Sequence, residues 1–148
     1  MKYQTEVTIN ASRERVLELF DSTENLYKWQ DGLKSHEHLE GEPGQPGAKM
    51  KLVYDNNGRK IELIETITVR NLPAEFSGIY EAPNVWNLNE NFFYEEGGQT
   101  RWVTDTEFRG KGLMWVMMKL MPGMFKKQTQ KTMNDFKAFV ETAGRGSD

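Results

Sequence analysis

The sequence contains no cysteine. Disulfide bonds, thiolate metal sites and a cysteine nucleophile are therefore excluded. The chain also lacks a long apolar run, since the longest, Leu113–Met118, is far shorter than the roughly 20 residues that span a bilayer. Its first residues, MKYQTEVTIN, alternate polar and apolar positions and lack the apolar core of a signal peptide. We therefore expect a cytoplasmic protein without stable membrane insertion.

Motifs that indicate a known chemistry are also absent. The chain has no GxSxG, P-loop, dinucleotide-binding or zinc motif, so we expect no cofactor. The only histidines, His36 and His38, stand two residues apart on a predicted strand and point the same way, which is the minimum for a metal pair. No third ligand has a suitable spacing, so we predict exposed histidines on an edge strand and no metal site.

Neither sign of charge dominates the composition. The formal net charge is −3. Binding to nucleic acids or to anionic membranes needs clustered positive charge, so this balance argues against both. The lysines near the C-terminus are a local exception, but Glu, Asp and Gln residues near them indicate a solvated helix face.

The hydrophobic patterns predict one α+β domain over residues 1–148, with a frayed polar tail at residues 144–148. Period-two alternation over Lys2–Ile9 predicts the first strand, and two short helices follow, with caps at Ser12 and around Ser22. The strands predicted after them are Lys34–Leu39, Lys49–Asp55, Arg59–Arg70, Glu75–Glu81, Val85–Glu95 and Thr100–Arg109.

Short turns between these strands make them antiparallel neighbours. The clearest hairpin signal is Asn57-Gly58, because both central positions of a type I′ turn need positive φ. About seven strands in one sheet are too many to stay flat, so the sheet should curl.

The concave face of that sheet needs a cover, and only Lys111–Thr142 is long and amphipathic enough to supply it. Pro122 and Gly123 predict a break between a helix over about 113–121 and a longer one over about 122–142. The apolar positions are rich in methionine. A methionine stripe usually belongs to the core, but its flexibility also suits a pliable wall around an apolar ligand. The stripe consists of Met114, Met117, Met118, Met121, Met124 and Met133.

The strand over Val85–Glu95 carries a row of amides, the asparagine row, formed by Asn87, Asn89 and Asn91. A two-residue turn at Gly97-Gly98 would place this row on the same, inward face as Trp102 and Phe108. Buried amides need water, internal hydrogen bonds or a ligand. The opposite face would then point outward, and its aromatic residues could support a homodimer. An odd-length loop or a bulge would reverse the two faces and bury Trp86, Leu88, Phe92 and Tyr94 instead.

One carboxylate interrupts an apolar strand face. Glu65 shares the parity of Leu63 and Ile67, so burial there would raise its pKa and suit it to general acid or base chemistry. The alternatives are that Ile64 marks the buried face, or that Glu65 pairs with a nearby Arg or Lys.

Several short segments, together with the order of elements, carry a resemblance that covers nearly the whole chain. They are Trp29 in ENLYKWQDGL, Leu39-Glu40-Gly41, Asn87 with Asn89 in NVWNLNENFF, Thr100-Arg101-Trp102, and the stretch from Phe125 through Phe136 to Phe139. In these features the chain resembles the START-like (SRPBCC) superfamily, which includes birch-pollen-allergen-like proteins and the polyketide cyclase/dehydrase and lipid transport proteins. The resemblance implies a helix-grip fold, with a hydrophobic cavity between helix and sheet for lipids, sterols, polyketides or plant-hormone-like molecules.

We expect binding or transport of a small hydrophobic molecule in this cavity, because no paired acid and base and no activated nucleophile stand out. The alternative is an enzyme of the polyketide cyclase or dehydratase type, in which Glu65 or the asparagine row handles protons or an enolate. The predicted ligand-contacting residues are Trp29, Tyr54, Phe76, Tyr80, Asn87, Asn89, Asn91, Trp102, Phe108, Met117, Met121 and Phe125.

Overall fold

A computed structural model describes residues 1–146, with side chains up to residue 143. The predicted strands and helices are all present, and their bounds differ from the predicted ones mainly at the C-terminal end of the last helix. The predicted tail at residues 144–148 overlaps that helix at residues 144–146 and otherwise lies outside the described residues. The elements are β1 (Lys2–Ile9), α1 (Arg13–Phe20), α2 (Thr23–Trp29), β2 (Leu33–Glu40), β3 (Lys49–Asn56), β4 (Arg59–Asn71), β5 (Glu75–Ala82), β6 (Val85–Glu96), β7 (Gln99–Gly110), α3 (Leu113–Leu120) and α4 (Pro122–Gly146).

The strands form one sheet of seven in the order β1-β7-β6-β5-β4-β3-β2, and each pair is antiparallel. The predicted α+β architecture is confirmed. The predicted hairpin is confirmed too, since Asn57 and Gly58 have φ of 55° and 85°. Gly97 and Gly98 form a second turn of this kind, with φ of 58° and 83°. Positive φ at both central positions matches the twist of the flanking strands.

This second turn sets the register of the strands that carry the asparagine row. Phe93 lies opposite Trp102, and Asn87 lies opposite Phe108. Asn87 and Asn91 are only 8% and 6% exposed, so the predicted inward register is confirmed and the reversed one is wrong. The outward aromatic residues are partly covered by arginine: Arg109 lies 4.5 Å from the Trp86 ring centroid, and Arg101 lies 4.6 Å from that of Tyr94.

The core lies between α4, the two short helices and the end of the sheet nearest β1. Phe20, the last residue of α1, occupies the centre of an aromatic cluster. Its ring centroid lies 5.1 to 6.2 Å from those of five other aromatic side chains. Such edge-to-face and offset contacts add to the free energy of area burial. The other members of the cluster are Trp29, Phe76, Phe93, Trp102 and Phe136.

The predicted break between the two C-terminal helices is present, because α3 ends at Leu120 and α4 begins at Pro122. Helix α3 packs on β7 through Met118, whose Cε would lie 2.8 Å from a Cβ added at Gly110. Gly110 therefore leaves room for this methionine. No helix within residues 1–146 combines the length and apolarity needed to cross a membrane.

Only part of the methionine stripe faces the interior. Met118 and Met133 are buried, whereas Met121 is 51% exposed and Met124 is also exposed. Neither alternative, core or ligand wall, therefore describes these last two residues. The break at Pro122 explains the difference, because α3 and α4 do not form one continuous apolar face.

The aromatic cluster generates a prediction about stability. Phe136 is fully buried, and its ring centroid lies 4.8 Å from that of Trp29 and 5.3 Å from that of Trp102. Phe136→Ala should lower the free energy of unfolding by about 3–5 kcal/mol, since it leaves a cavity in the core. Chemical denaturation measures this loss. Phe139→Ala is the control, because Phe139 is only partly buried and should cost clearly less; equal losses would contradict the assigned core.

Candidate functional site

A cavity of about 640 Å³ lies between the sheet and α4. Helix α4 packs mainly along β1 at one edge of the sheet, so within residues 1–146 no helix packs extensively on the part of the concave face formed by β3 and β4. The cavity occupies this space. It is bounded by α2, by the loop between β2 and β3, and by side chains of α4 between residues 128 and 135.

The aromatic cluster forms one wall of the cavity. Four of its members, Phe20, Trp29, Phe76 and Trp102, line the space. Trp29 also holds a buried indole N–H that has no hydrogen-bond partner among the described residues. Aliphatic side chains of β3 and β4 and a methionine of α4 continue the apolar lining. They are Leu52, Ile61, Leu63, Ile67 and Met133.

The wall formed by β3, β4 and β5 carries several polar groups. Glu65 lies directly opposite Tyr80 across the β4–β5 pair, and both line the cavity. Burial raises the pKa of Glu65, and interaction with the Tyr80 hydroxyl offsets only part of this shift. Tyr54 also lines the cavity, where its hydroxyl donates a hydrogen bond to Oε1 of Gln30.

The two tyrosines keep their protons. Burial, reinforced by the nearby Glu65 carboxylate, raises the pKa of both Tyr54 and Tyr80. The cavity therefore holds a carboxyl group whose neighbours are neutral hydroxyls. Of the alternatives for Glu65, pairing with a basic residue is wrong, because no Arg or Lys contributes to its pKa shift or forms a salt bridge with it among the described residues. The alternative that Ile64 marks the buried face is wrong as well, because Glu65 lines the cavity and Ile64 does not.

The asparagine row lines the cavity but uses much of its hydrogen-bonding capacity internally. Asn87 donates to the Glu107 carbonyl at 3.1 Å, and Asn89 donates to Oδ1 of Asn87 at 3.1 Å. Oδ1 of Asn91 accepts from Trp102 Nε1 at 2.9 Å and from Thr104 Oγ1 at 2.8 Å. The row therefore acts first as a scaffold that orients Trp102. Because the Asn91 carbonyl is already occupied twice, its amide NH₂ is the group it can offer to a ligand.

Charged residues lie at the rim. Asp21 lines the cavity and accepts two hydrogen bonds from Arg70, at 2.9 and 2.5 Å, which tie the junction of α1 and α2 to the end of β4. His36 and His38 are exposed on the edge strand β2, as predicted, and contribute to the rim. No group of three or more potential metal ligands comes together within the described residues.

The structure brings most of the predicted ligand-contacting residues together. Glu65 and eight of the twelve line the cavity, although contact with a ligand remains a prediction. These eight are Trp29, Tyr54, Phe76, Tyr80, Asn87, Asn89, Asn91 and Trp102.

The other four lie away from the cavity. Phe108 has the predicted inward parity, but its ring packs against that of Phe125 at 5.2 Å, so these two residues seal α4 onto β7. Met117 lies on α3 and Met121 at its end, and no residue of α3 is among those that line the cavity. None of the four is among the residues that line the cavity.

Several lining residues were missed in the sequence analysis, among them Phe20 and Gln30. Phe20 ends α1, and the apolar spacing of that helix marked it as core without indicating that it borders a cavity. Gln30 follows α2, and nothing in the sequence links it to Tyr54. Both depend on how the two short helices are placed against the sheet.

A curved antiparallel sheet that grips a C-terminal helix and leaves a cavity between them defines a START-like helix-grip protein. Ara h 8.0201 has this fold, with a TM-score of 0.75 and 15% identity over 96% of this chain and 98% of its own. The Zhui aromatase/cyclase from Streptomyces sp. R1128 has a TM-score of 0.74 and 15% identity, over 95% of this chain and 93% of its own. A START superfamily protein from Mycobacterium smegmatis has a TM-score of 0.74 and 15% identity, over 96% of this chain and 98% of its own. At these identities, the comparisons establish a shared fold.

The family is established by sequence. The model of the polyketide cyclase/dehydrase and lipid transport family matches residues 1–141, and the chain belongs to this family. No curated protein sequence gives a significant match. The resemblance inferred from the sequence is confirmed at the level of family and fold.

The raised pKa of Glu65 has a consequence for stability. The folded protein holds this proton more tightly than the unfolded chain does. The free energy of unfolding therefore falls as the pH rises from the ordinary pKa of the carboxyl group to its raised pKa in the folded state. Glu65→Gln should therefore raise the free energy of unfolding at neutral pH. The gain should vanish below the ordinary pKa of a glutamate, where both forms are neutral.

Denaturation of both proteins across the acidic to neutral range measures this difference. Glu62→Gln is the matched control, since Glu62 is an exposed residue of the same strand and its loss should change stability little. A destabilising effect of Glu65→Gln at neutral pH would show that the carboxylate makes a favourable interaction there.

Proposed function

We propose that this protein binds or transports a small hydrophobic molecule, such as a lipid or a polyketide, in the cavity between α4 and the sheet. The observation that carries the proposal is the cavity itself, with its aromatic wall and its volume of about 640 Å³. Pockets that hold small organic ligands have volumes of roughly 300–1,000 Å³ and combine apolar linings with a few convergent polar groups. The family, which includes lipid transport proteins, supports the same conclusion.

The distribution of groups in the cavity favours a ligand with one polar end. The aromatic cluster offers a flat apolar surface, and Glu65 with Tyr80 offers hydrogen-bonding groups on another wall. A hydroxyl or amine on the ligand would satisfy the Glu65 carboxyl, and a carbonyl would accept from Tyr80. The remainder of the ligand would be apolar, since burial of apolar area is the main driving force available in this cavity.

The neutral fluorescent probe 1-N-phenylnaphthylamine tests this proposal, because it is apolar and carries one N–H donor. We expect saturable binding of one probe per chain, with increased fluorescence. Leu63→Trp should weaken binding at least about tenfold, because the larger side chain fills the cavity. Glu62→Trp is the control, since it places the same side chain at an exposed position next to Leu63.

Near-ultraviolet circular dichroism shows whether each variant retains a packed core. If a packed Leu63→Trp variant binds the probe as tightly as the original protein, the ligand site is not this cavity. Native mass spectrometry of the purified protein provides an independent measurement, because a ligand that co-purifies adds mass only under native conditions.

A specific observation also supports a second function, an enzyme of the cyclase or dehydratase type. Glu65 is a carboxyl group with a raised pKa, it faces the cavity, and Tyr80 lies beside it as a neutral donor. A carboxylate that removes a proton next to a carbonyl, and a hydroxyl that stabilises the resulting enolate, are the two groups that such a reaction needs.

Hydrogen exchange into 2-acetonaphthone in deuterated water tests this chemistry without knowledge of the natural substrate. If Glu65 acts as a base, the protein should accelerate deuterium uptake at the methyl group, and Glu65→Gln should reduce the rate by about 100-fold or more. Glu62→Gln should leave it unchanged. Equal rates for the original protein and Glu65→Gln would remove this mechanism while leaving the binding function intact.

A further inference from the structure

Helix α3 and the start of α4 expose a group of apolar side chains, here called the apolar patch. We infer that the apolar patch docks reversibly onto an anionic lipid bilayer. Most of the exposed large apolar side chains among the described residues lie in this stretch, and Leu120 and Leu113 are 76% and 74% exposed. The patch consists of Leu113, Trp115, Val116, Leu120, Met121 and Met124.

The packing of α3 leaves this surface open. The helix has apolar residues on all sides, and Met118 is its only buried side chain. A helix that is apolar all round is normally covered, either by protein or by lipid. Among the described residues, α3 contacts β7 and α4, and these contacts leave the apolar patch exposed.

Charge indicates what would cover the patch. Between Phe108 and Asn134 the chain carries six basic residues and no acidic one, so this segment has a charge of +6 and the rest of the chain −9. Four of the six, Lys111, Lys119, Lys126 and Lys127, flank the apolar patch and form no salt bridge with the described carboxylates. This concentrated positive charge complements the headgroups of an anionic leaflet.

The residue types also suit an interface between lipid and water. Trp115 is 54% exposed, and Lys119 Nζ lies 5.6 Å from its ring centroid. Tryptophan is enriched at the headgroup level, and lysine can bury its methylene chain while its ammonium group reaches the headgroups. Helix α3 has eight residues and is too short to span a bilayer, so its apolar side chains would insert at the interface while the flanking lysines reach the headgroups.

A second copy of the chain fits the patch less well. In a two-fold symmetric dimer, each protomer would present the same surface to the other. The basic surface around the apolar patch would then face the same basic surface of the partner, and like charges repel. An anionic bilayer instead attracts them, so charge complementarity favours lipid.

Co-sedimentation with vesicles tests the inference. The two compositions are pure phosphatidylcholine and phosphatidylcholine with about 30 mol % phosphatidylglycerol, the second of which is anionic. We expect binding to the anionic vesicles that weakens as salt is added, and much weaker binding to the neutral ones. The double variants Leu113→Ser/Leu120→Ser and Lys126→Gln/Lys127→Gln should each reduce binding about tenfold or more.

Matched controls separate the patch from general effects. Leu39→Ser removes an exposed leucine from β2, and Lys34→Gln/Lys60→Gln removes two exposed lysines from the sheet. The leucine control should bind as the original protein does, and the lysine control should lose clearly less than Lys126→Gln/Lys127→Gln. All these positions lie outside the cavity, so binding of 1-N-phenylnaphthylamine should be unchanged in every variant.

Three results would overturn the inference. The first is absence of binding to anionic vesicles at low salt, and the second is binding that the patch variants do not reduce. The third is a dimer, detected by light scattering at matched protein concentrations, that Leu113→Ser/Leu120→Ser dissociates, since the patch would then be an interface between two copies.

Discussion

One helix cannot cover the concave face of a curled seven-stranded sheet, and the cavity follows from this mismatch. Helix α4 is 25 residues long, but it packs along β1. It contacts the aromatic cluster at the end of the sheet nearest that strand. Towards β3 and β4 the sheet continues without a covering helix from the described part of the chain. The short helix α2 and the loop between β2 and β3 close the outside of this region, but they do not fill it.

An unfilled apolar space lowers stability, because its lining loses the dispersion contacts that a packed core would provide. The aromatic cluster centred on Phe20 compensates by concentrating six aromatic side chains where α4, α1 and the sheet meet. The protein thus has a well-packed end and an open end. Any molecule that binds only the folded state at the open end would add stability in proportion to its concentration and affinity.

The polar groups of the cavity differ in how they are satisfied. The asparagine row bonds to itself and to neighbouring strand residues, and Asn91 fixes Trp102. Glu65 has no cationic partner among the residues that the structure describes, and its neighbours Tyr80 and Tyr54 are neutral hydroxyls. A desolvated carboxyl group without a counter-ion does not stabilise a fold, so Glu65 is the group most readily explained by a function.

Local rules were sufficient to predict much of the fold and part of the site. Pro122 determines where the C-terminal helices separate, and the turn at Gly97-Gly98 determines that the asparagine row points inward. The alternation of side chains along the strand predicted wrongly that Phe108 lines the cavity. Phe108 points inward, but Phe125 covers it. The direction of α3 after β7 and the placement of Phe20 depend on contacts between distant segments, which periodicity does not encode.

Net charge is a sum over the chain, whereas binding depends on the charge that a partner meets. The value of −3 argues against an anionic partner only if the charges are evenly mixed, and here the segment around α3 carries +6. The break at Pro122 matters for the same reason. In one continuous helix, the apolar residues of α3 would have extended the face that α4 packs against the sheet. The break instead places them in solvent beside several lysines, so an interruption of one residue, Met121, converts potential core into a basic, apolar surface.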